Sequence, residues 1–355
     1  MKNNYVIIMA GGVGSRFWPM SRENFPKQFH DVLGIGKTLI QLTVDRYKNL
    51  CPKENIYIVS NIIYKDIIET QLPFLNSNQI ILEPCKRNTA PCIAYASAKI
   101  NKLNVAAKIV VAPSDHLILK QDEFETTIKT AFKQIDLGDY LTTIGILPSR
   151  PDTGYGYIKI NDSFSGVNKN VKAVAQFTEK PSLEKAKEFV KSGFYYWNSG
   201  MFIWSVSSIM KAFKSHTPDL YNKFNKIKEH LNTSDEARVL DEIYPQCEDI
   251  SIDYAIMEKA DNKLVILADF SWSDLGTWGS LYNHLHKDNN NNAIVGDKVF
   301  TYNSNNNIVM MPKNKLVVIQ GLHNYIVVES DDTLLICEKD NEQQIKQMVQ
   351  DINSK

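Results

Sequence analysis

The sequence predicts an α/β protein: a parallel sheet with helices on both faces, followed by a small C-terminal β domain. Three observations carry that expectation. Apolar segments of strand length alternate with helical patterns through the first half of the chain. A glycine-rich loop follows the first apolar run. Near residue 288 the pattern changes to short β-type segments punctuated by Asn, Gly and Asp.

Taken in order, Val6–Ala10, Asn55–Ser60, Ile80–Glu83, Lys108–Ala112 and Leu141–Ile146 are apolar enough to be strands. Ile40–Asn49, Pro91–Lys102 and Phe124–Gln134 carry helical spacing between them. Residues 151–205 break the alternation: Gly154–Ile158 reads as a turn into a strand, Val171–Glu179 as a strand and Leu183–Ser192 as a helix. Such an insertion supplies the second half of a cleft. Helical patterns return over 205–230 and Asp253–Ala260. Asp288–Asn292 is a polar hinge. Five short strands follow, Val299–Tyr302, Asn307–Met310, Leu316–Gln320, Tyr325–Glu329 and Thr333–Cys337. They suit a compact β domain or a few β-helix coils, with Asn303–Asn307 as turns and Asn341–Ile352 as a closing helix.

Forty basic and forty acidic residues cancel, so there is no electrostatic footprint for nucleic acid. No apolar run reaches the roughly 20 residues a membrane span needs, and the N-terminus has no signal-peptide pattern. The five cysteines form no Cys-x-x-Cys pair, which argues against a zinc or thioredoxin-type site. Reduced thiols in a cytoplasmic protein are expected.

Residues Tyr5–Pro19 form the most informative stretch. An apolar strand ends in Ala10-Gly11-Gly12-Val13-Gly14-Ser15-Arg16, whose glycines let backbone N–H groups form an anion nest. Arg16 adds a planar fork suited to phosphate oxygens, and Lys27 a second, mobile positive charge. A dinucleotide fingerprint fails at its third glycine, where Phe17 stands. A P-loop ending in Gly36-Lys37-Thr38 fails at Asp31. A nucleotidyltransferase loop, with Arg16 and Lys27 flanking a triphosphate, uses every residue.

Further candidates follow predicted strands, where ligands of α/β sheets bind. Ser114-Asp115-His116 ends the most apolar strand, and Asp274 lies in the aromatic run Trp272–Trp278. Two such carboxylates suit Mg²⁺, a hard cation shared with substrate phosphates; either alone reads as a turn or cap. Glu83, Asn88 and Thr89 offer carboxylate, amide and hydroxyl groups for a base and ribose, Glu83 matching two adjacent N–H donors of guanine. The plainer reading of Asn88 or Thr89 is a helix N-cap. Glu179-Lys180 offers a carboxylate and an ammonium for sugar hydroxyls and a phosphate, or else a surface ion pair. Asn198 adds an amide.

With Ala10–Arg22, Pro26–Phe29, Arg87–Pro91, Ser114–His116, Thr178–Pro181, Asn198–Phe202 and Trp272–Trp278 in view, the chain resembles the mannose-1-phosphate guanylyltransferases. These belong to the nucleotide-sugar pyrophosphorylase superfamily, and the resemblance spans residues 5–340. Ser15 stands where many members carry Thr, and both supply a hydroxyl. The resemblance implies a Rossmann-like mixed-sheet nucleotidyltransferase domain over 1–287 and a β-helix-like domain over 288–355. It implies GTP and mannose 1-phosphate as substrates, Mg²⁺ on Asp115 and Asp274, and Arg16, Lys27 and Asp115 as catalytic. Ala10, Gly11, Gly12, Gly14, Ser15, Glu83, Asn88, Thr89 and Ser114 would bind nucleotide. Gly154, Glu179, Lys180 and Asn198 would bind the sugar phosphate. A homodimer is expected from the exposed strand edges of the tail. Longer relatives carry an isomerase domain, which a chain of this length is not expected to hold. The alternatives are a glucose 1-phosphate nucleotidyltransferase and a non-catalytic nucleotide-sugar-binding subunit.

Overall fold

The computed structural model describes residues 1–164 and 166–354. They form two compact units. The first comprises Met1–Gly11, Thr43–Ser114 and Ile118–Trp272; the second comprises Gly12–Leu42, Asp115–Leu117 and the chain from Ser273 onward.

The first unit is built on a nine-stranded sheet. Its strands are β1 (Asn4–Met9), β2 (Ile56–Asn61), β3 (Ile80–Glu83), β4 (Lys108–Pro113), β5 (Leu141–Ile146), β6 (Tyr157–Asn161), β7 (Val171–Thr178), β8 (Tyr195–Ser205) and β9 (Lys263–Ala268). They lie in the order β3-β2-β1-β4-β8-β5-β9-β7-β6. Strands β1 to β4 are parallel, with Val6 opposite both Ile56 and Val110. Strand β8 runs antiparallel between β4 and β5, so the sheet is mixed rather than wholly parallel. The mixed sheet is the one the family resemblance implies, and the parallel pattern read from the strand–helix alternation holds for β1 to β4. The sequence presents the β8 segment as a polar motif, yet Met201–Trp204 is fully buried in the strand.

Helix Thr89–Leu103 follows β3. Asn88 is its N-cap, its side-chain oxygen accepting from the Thr89 N–H at 2.9 Å. Every residue from Ala90 to Ile100 is buried, which the small side chains of this alanine-rich stretch permit. The expected helical run over 205–230 is two helices, Val206–His216 and Pro218–Lys226. Pro218 lacks the N–H needed to continue the first and is suited to start the second. Asp253–Met257 is a single π-helical turn rather than an α-helix reaching Ala260. Trp204, Phe202, Phe213 and Phe224 join the apolar core of this unit, each stabilising it by roughly 2–3 kcal/mol.

The second unit holds a stacked β structure. Strands Ala293–Val295, Ile308–Met310 and Tyr325–Ser330 pair in parallel, and Thr333–Glu338 adds antiparallel. Val299–Tyr302 pairs in parallel with Val317–Gln320. Each coil repeats the last: Ala293, Ile308 and Ile326 stand in register and are all fully buried. This is the small β-helix-like domain the tail predicts. Asn307, where the expected turn passes into the expected strand, is fully buried. Its amide donates to Asn292 Oδ1 at 3.0 Å and its oxygen accepts from the Tyr325 N–H at 2.8 Å, so an asparagine ladder satisfies the coil interior. Phe17 packs on Trp278 with ring centroids 4.7 Å apart, in a cluster shared with Val32, Leu281 and Ile345. No helix among the described residues is long and apolar enough to cross a membrane.

Candidate functional site

In the second unit, the chain after Gly12 turns sharply. Gly14 has φ +66° and precedes a short 3₁₀ turn, Ser15–Phe17. A left-handed conformation costs a residue with a Cβ energy, so glycine belongs there. The Ser21 hydroxyl donates to the Val13 carbonyl and pins the loop. Gly12 borders open space, and Ser15 and Arg16 are exposed. Arg16 makes no ion pair among the described residues, so its guanidinium is available to an anion.

Lys27 departs from expectation. Its residue is only 3% exposed. The ammonium contacts Asp115 Oδ2 at 2.8 Å and donates to the carbonyls of Asp274 and Leu275, each at 3.0 Å. An ammonium has three N–H donors, and all three are engaged. Lys27 is therefore a tether joining the Asp115 and Asp274 segments, not a mobile charge. Burial alone would raise the Asp115 carboxyl, but Lys27 and then His116 overcome it and hold the group below its ordinary value. Asp115 is thus ionised at neutral pH. Asp274 Oδ1 accepts from the Gly276 N–H at 3.0 Å.

A Cβ on Gly14 would lie 2.7 Å from Lys27 Cβ. Gly14→Ala should therefore both strain the loop and displace the tether. The expected loss is about 1–3 kcal/mol of stability together with most turnover. Denaturant unfolding alongside an activity assay checks it, and parent-like values in both would refute the packing argument.

In the first unit, β2 separates β1 from β3, and the Glu83 side chain at the end of β3 reaches toward the chain just past β1. Ala10 is held in the sheet: its N–H donates to Val59 O at 2.8 Å, and its carbonyl accepts from the Ser60 hydroxyl at 2.7 Å. A Cβ on Gly11 would stand 3.9 Å from Glu83 Oε2. Glu83 is buried, and Oε1 accepts from the Tyr244 hydroxyl. Burial raises its carboxyl to about 7, the Tyr244 hydrogen bond opposing the rise. The Tyr244 bond takes one of the several acceptor positions of the Glu83 carboxyl and fixes how it faces Gly11. The Thr89 hydroxyl likewise faces the protein, accepting from the Ile252 N–H at 2.8 Å. Ser114 is buried; its N–H donates to Met9 O at 3.1 Å and its carbonyl accepts from the Thr43 hydroxyl at 3.1 Å.

Glu83 sets a pH dependence. A carboxyl raised from about 4.5 to about 7 contributes stability fully below pH 4.5, and that stability is lost as pH rises through 7. Glu83→Gln removes the titration. Relative to the parent, the variant should gain on the order of 3 kcal/mol between pH 4 and pH 8. Unfolding at both pH values tests this; an unchanged difference would mean that Glu83 ionises freely.

The same unit gathers a second cluster. Glu179 and Lys180 pair at 3.1 Å at the end of β7, with the Glu179 side chain 9% exposed and Lys180 59%. Asn198 lies on β8, its N–H donating to Gly156 O at 2.8 Å. A Cβ on Gly156 would fall 2.4 Å from Glu179 Oε2 and 3.3 Å from Asn198 Cβ. The glycine that meets the candidate sugar residues is therefore Gly156, not Gly154. Gly154 is exposed, and its N–H is engaged by Asp152 Oδ1 at 2.9 Å. Asp253, which no sequence motif marks, joins the corner: its Oδ1 accepts from Asn198 Nδ2 at 3.0 Å. Arg150 stacks over Tyr155 and Trp197, 5.9 and 5.3 Å from their ring centroids. The glycine pair around Tyr155 was the available signal for this corner.

No cluster of three or more His, Cys, Asp or Glu residues suited to a metal occurs among the described residues. A cation here would draw ligands from one or two carboxylates, with phosphate and water completing its shell.

The arrangement has known counterparts. A family model described as nucleotidyl transferase matches residues 5–291. Another, described as a MannoseP isomerase/GMP-like beta-helix domain, matches residues 297–352. A mannose-1-phosphate guanylyltransferase of Salmonella montevideo is 40% identical over 98% of this chain and 73% of its own. One from Klebsiella pneumoniae is 36% identical over 97% and 73%. A crystal structure described as a mannose-1-phosphate geranyltransferase from Thermus thermophilus matches with a TM-score of 0.87. It is 28% identical and covers 99% of both chains.

Proposed function

The chain belongs to the nucleotidyl transferase family, and from that premise we propose that it transfers GMP from GTP to α-D-mannose 1-phosphate, giving GDP-mannose and pyrophosphate. The observation that carries the sugar-phosphate half is the grouping of Glu179, Lys180, Asn198 and Gly156 in one corner. It offers a carboxylate and an amide for hydroxyls beside an exposed ammonium for a phosphate. The guanylyl half rests on the relatives.

A phosphate oxygen of the sugar phosphate attacks the α-phosphorus of GTP. A new P–O bond forms, the bond from the α-phosphorus to the bridging oxygen breaks, and its electron pair leaves with pyrophosphate. The nucleophile is already an anion, so no general base is required. Positioning and charge neutralisation supply the catalysis. Arg16 and the backbone N–H groups of Gly12 and Gly14 would steady the triphosphate. Lys27 holds Asp115 and Asp274 in place rather than gripping a phosphate directly. The ionised, half-buried Asp115 and the neighbouring Asp274 are hard oxygen donors that fit Mg²⁺. Bound there, the cation would act as a Lewis acid toward phosphate oxygens.

GTP labelled at the α-phosphorus tests the reaction. Label recovered in the nucleotide-sugar supports it. Label recovered only in free GMP or GDP contradicts it. Label transferred to glucose 1-phosphate in preference would favour the glucose-type alternative, and none transferred to any sugar phosphate would favour a binding subunit.

The segment from residue 288 carries no catalytic group in this reading and serves packing, where Ala293, Ile308 and Ile345 share a core with Phe17 and Val32, or self-association. Phe300, Tyr302, Val318, Leu334 and Ile336 are exposed on its strands, with Phe300 opposite Val318 in the pairing, and exposed apolar side chains that group together mark interaction sites. Truncation near Asn289 should give a monomer where the full chain gives a dimer, as measured by mass in solution. A truncated dimer would move the interface elsewhere. Five free cysteines, four of them buried, suit a reducing, cytoplasmic setting.

A further inference from the structure

We propose that Asp253 is the positioning residue of the sugar-phosphate corner: it fixes the Asn198 amide, and the π-helical turn that carries it holds Glu179 as well. This rests on the sugar-phosphate reading of that corner.

Asn198 can orient its amide two ways. Two contacts choose one. The Gly200 N–H donates to Asn198 Oδ1 at 3.2 Å, while Thr143 Oγ1, 2.9 Å from the same oxygen and 3.0 Å from Met201 O, can donate to only one of them. Asp253 Oδ1 accepts from Nδ2 at 3.0 Å. The amide nitrogen has two donors, so one N–H remains to meet a sugar hydroxyl, in a direction Asp253 determines.

The same turn reaches the neighbouring strand end. Glu258 Oε1 accepts from the Glu179 N–H at 3.1 Å, and the Glu258 N–H donates to Asp253 O at 2.8 Å. One closed turn thus holds a side chain on β8 and the backbone at the end of β7. π-Helical turns are rare and occur frequently at functional sites.

Asp253 faces Glu179 and Lys180 from the β7 end, Asn198 from β8, and Ser251 and Glu258 from its own loop. Burial first, and the Glu179 charge second, raise its carboxyl to about 7. Its grip on the Asn198 N–H should strengthen as it ionises, since hydrogen bonds to charged acceptors are stronger.

The test compares Asp253→Ala and Asp253→Asn with the parent enzyme. Asp253→Ala should raise KM for mannose 1-phosphate about tenfold or more while KM for GTP stays within about twofold. Asp253→Asn retains an acceptor and should fall between. In the parent, KM for mannose 1-phosphate should fall from pH 6 to pH 8. Part of that fall should vanish in Asp253→Asn; what remains belongs to the substrate phosphate, which titrates in the same range. Equal rises in both KM values, or a full parent-like pH dependence in Asp253→Asn, would overturn the proposal. If the parent turns over a different sugar 1-phosphate, the same split is expected on that substrate. If it turns over none, the proposed reaction fails, but calorimetric binding of GDP-mannose still reads Asp253. Weaker binding by Asp253→Ala supports the positioning role, and unchanged binding overturns it.

Discussion

Lys27→Met is expected to cost roughly 2–4 kcal/mol of stability and to remove most turnover. The ammonium is buried, and it donates to three groups: the Asp115 carboxylate and the carbonyls of Asp274 and Leu275. Methionine fills a similar volume but withdraws the positive charge and all three donors from them. Asp115 keeps 29% side-chain exposure, so water recovers part of the loss. With the tether lost, stability and activity should fall together. Unfolding in denaturant beside steady-state kinetics reads both. A variant with parent stability and no activity would return Lys27 to a direct phosphate role, and one with full activity would remove it from the site.

Asp115→Asn and Asp274→Asn should each raise the Mg²⁺ concentration for half-maximal rate by tenfold or more. A neutral amide oxygen is a far weaker ligand for a hard dication than a carboxylate. The two substitutions differ in their side effects. Asp115→Asn also breaks the ion pair with Lys27 and should lower stability. Asp274 meets Lys27 through its carbonyl, so Asp274→Asn should leave that contact intact. A Mg²⁺ titration of each variant decides the matter. If one titrates like the parent, that residue is structural and the two-carboxylate arrangement is wrong.

Much of the fold and site is legible because it is local. The strand-then-glycine pattern at Tyr5–Arg16 announces a sharp turn, and Gly14 does adopt the left-handed conformation that only glycine takes cheaply. The alternation of strands and helices points to the parallel half of the sheet, and the punctuated tail to the stacked coils. What escapes is what distance in sequence conceals. Lys27 bonds to residues 247 and 248 positions away, so no spacing rule reveals that its charge is engaged. The Tyr244 hydroxyl reaches Glu83 across 161 positions and changes what that carboxyl can do. In β8, Tyr195–Trp197 and Met201–Trp204 are strand-like, but the polar Asn198-Ser199-Gly200 between them hides the continuity of the strand. Asp253–Met257 reads as an ordinary helix because a π-turn differs from an α-turn by one residue of hydrogen bonding, which side-chain periodicity does not register.

The most direct measurement of the central claim is pyrophosphate release by the purified chain in the presence of Mg²⁺, with two substrate pairs side by side. GTP with mannose 1-phosphate should release pyrophosphate in proportion to the GDP-mannose formed. ATP with glucose 1-phosphate should be slower by tenfold or more. Comparable rates for the two pairs would contradict the assigned specificity, and no release from either would contradict the assigned reaction.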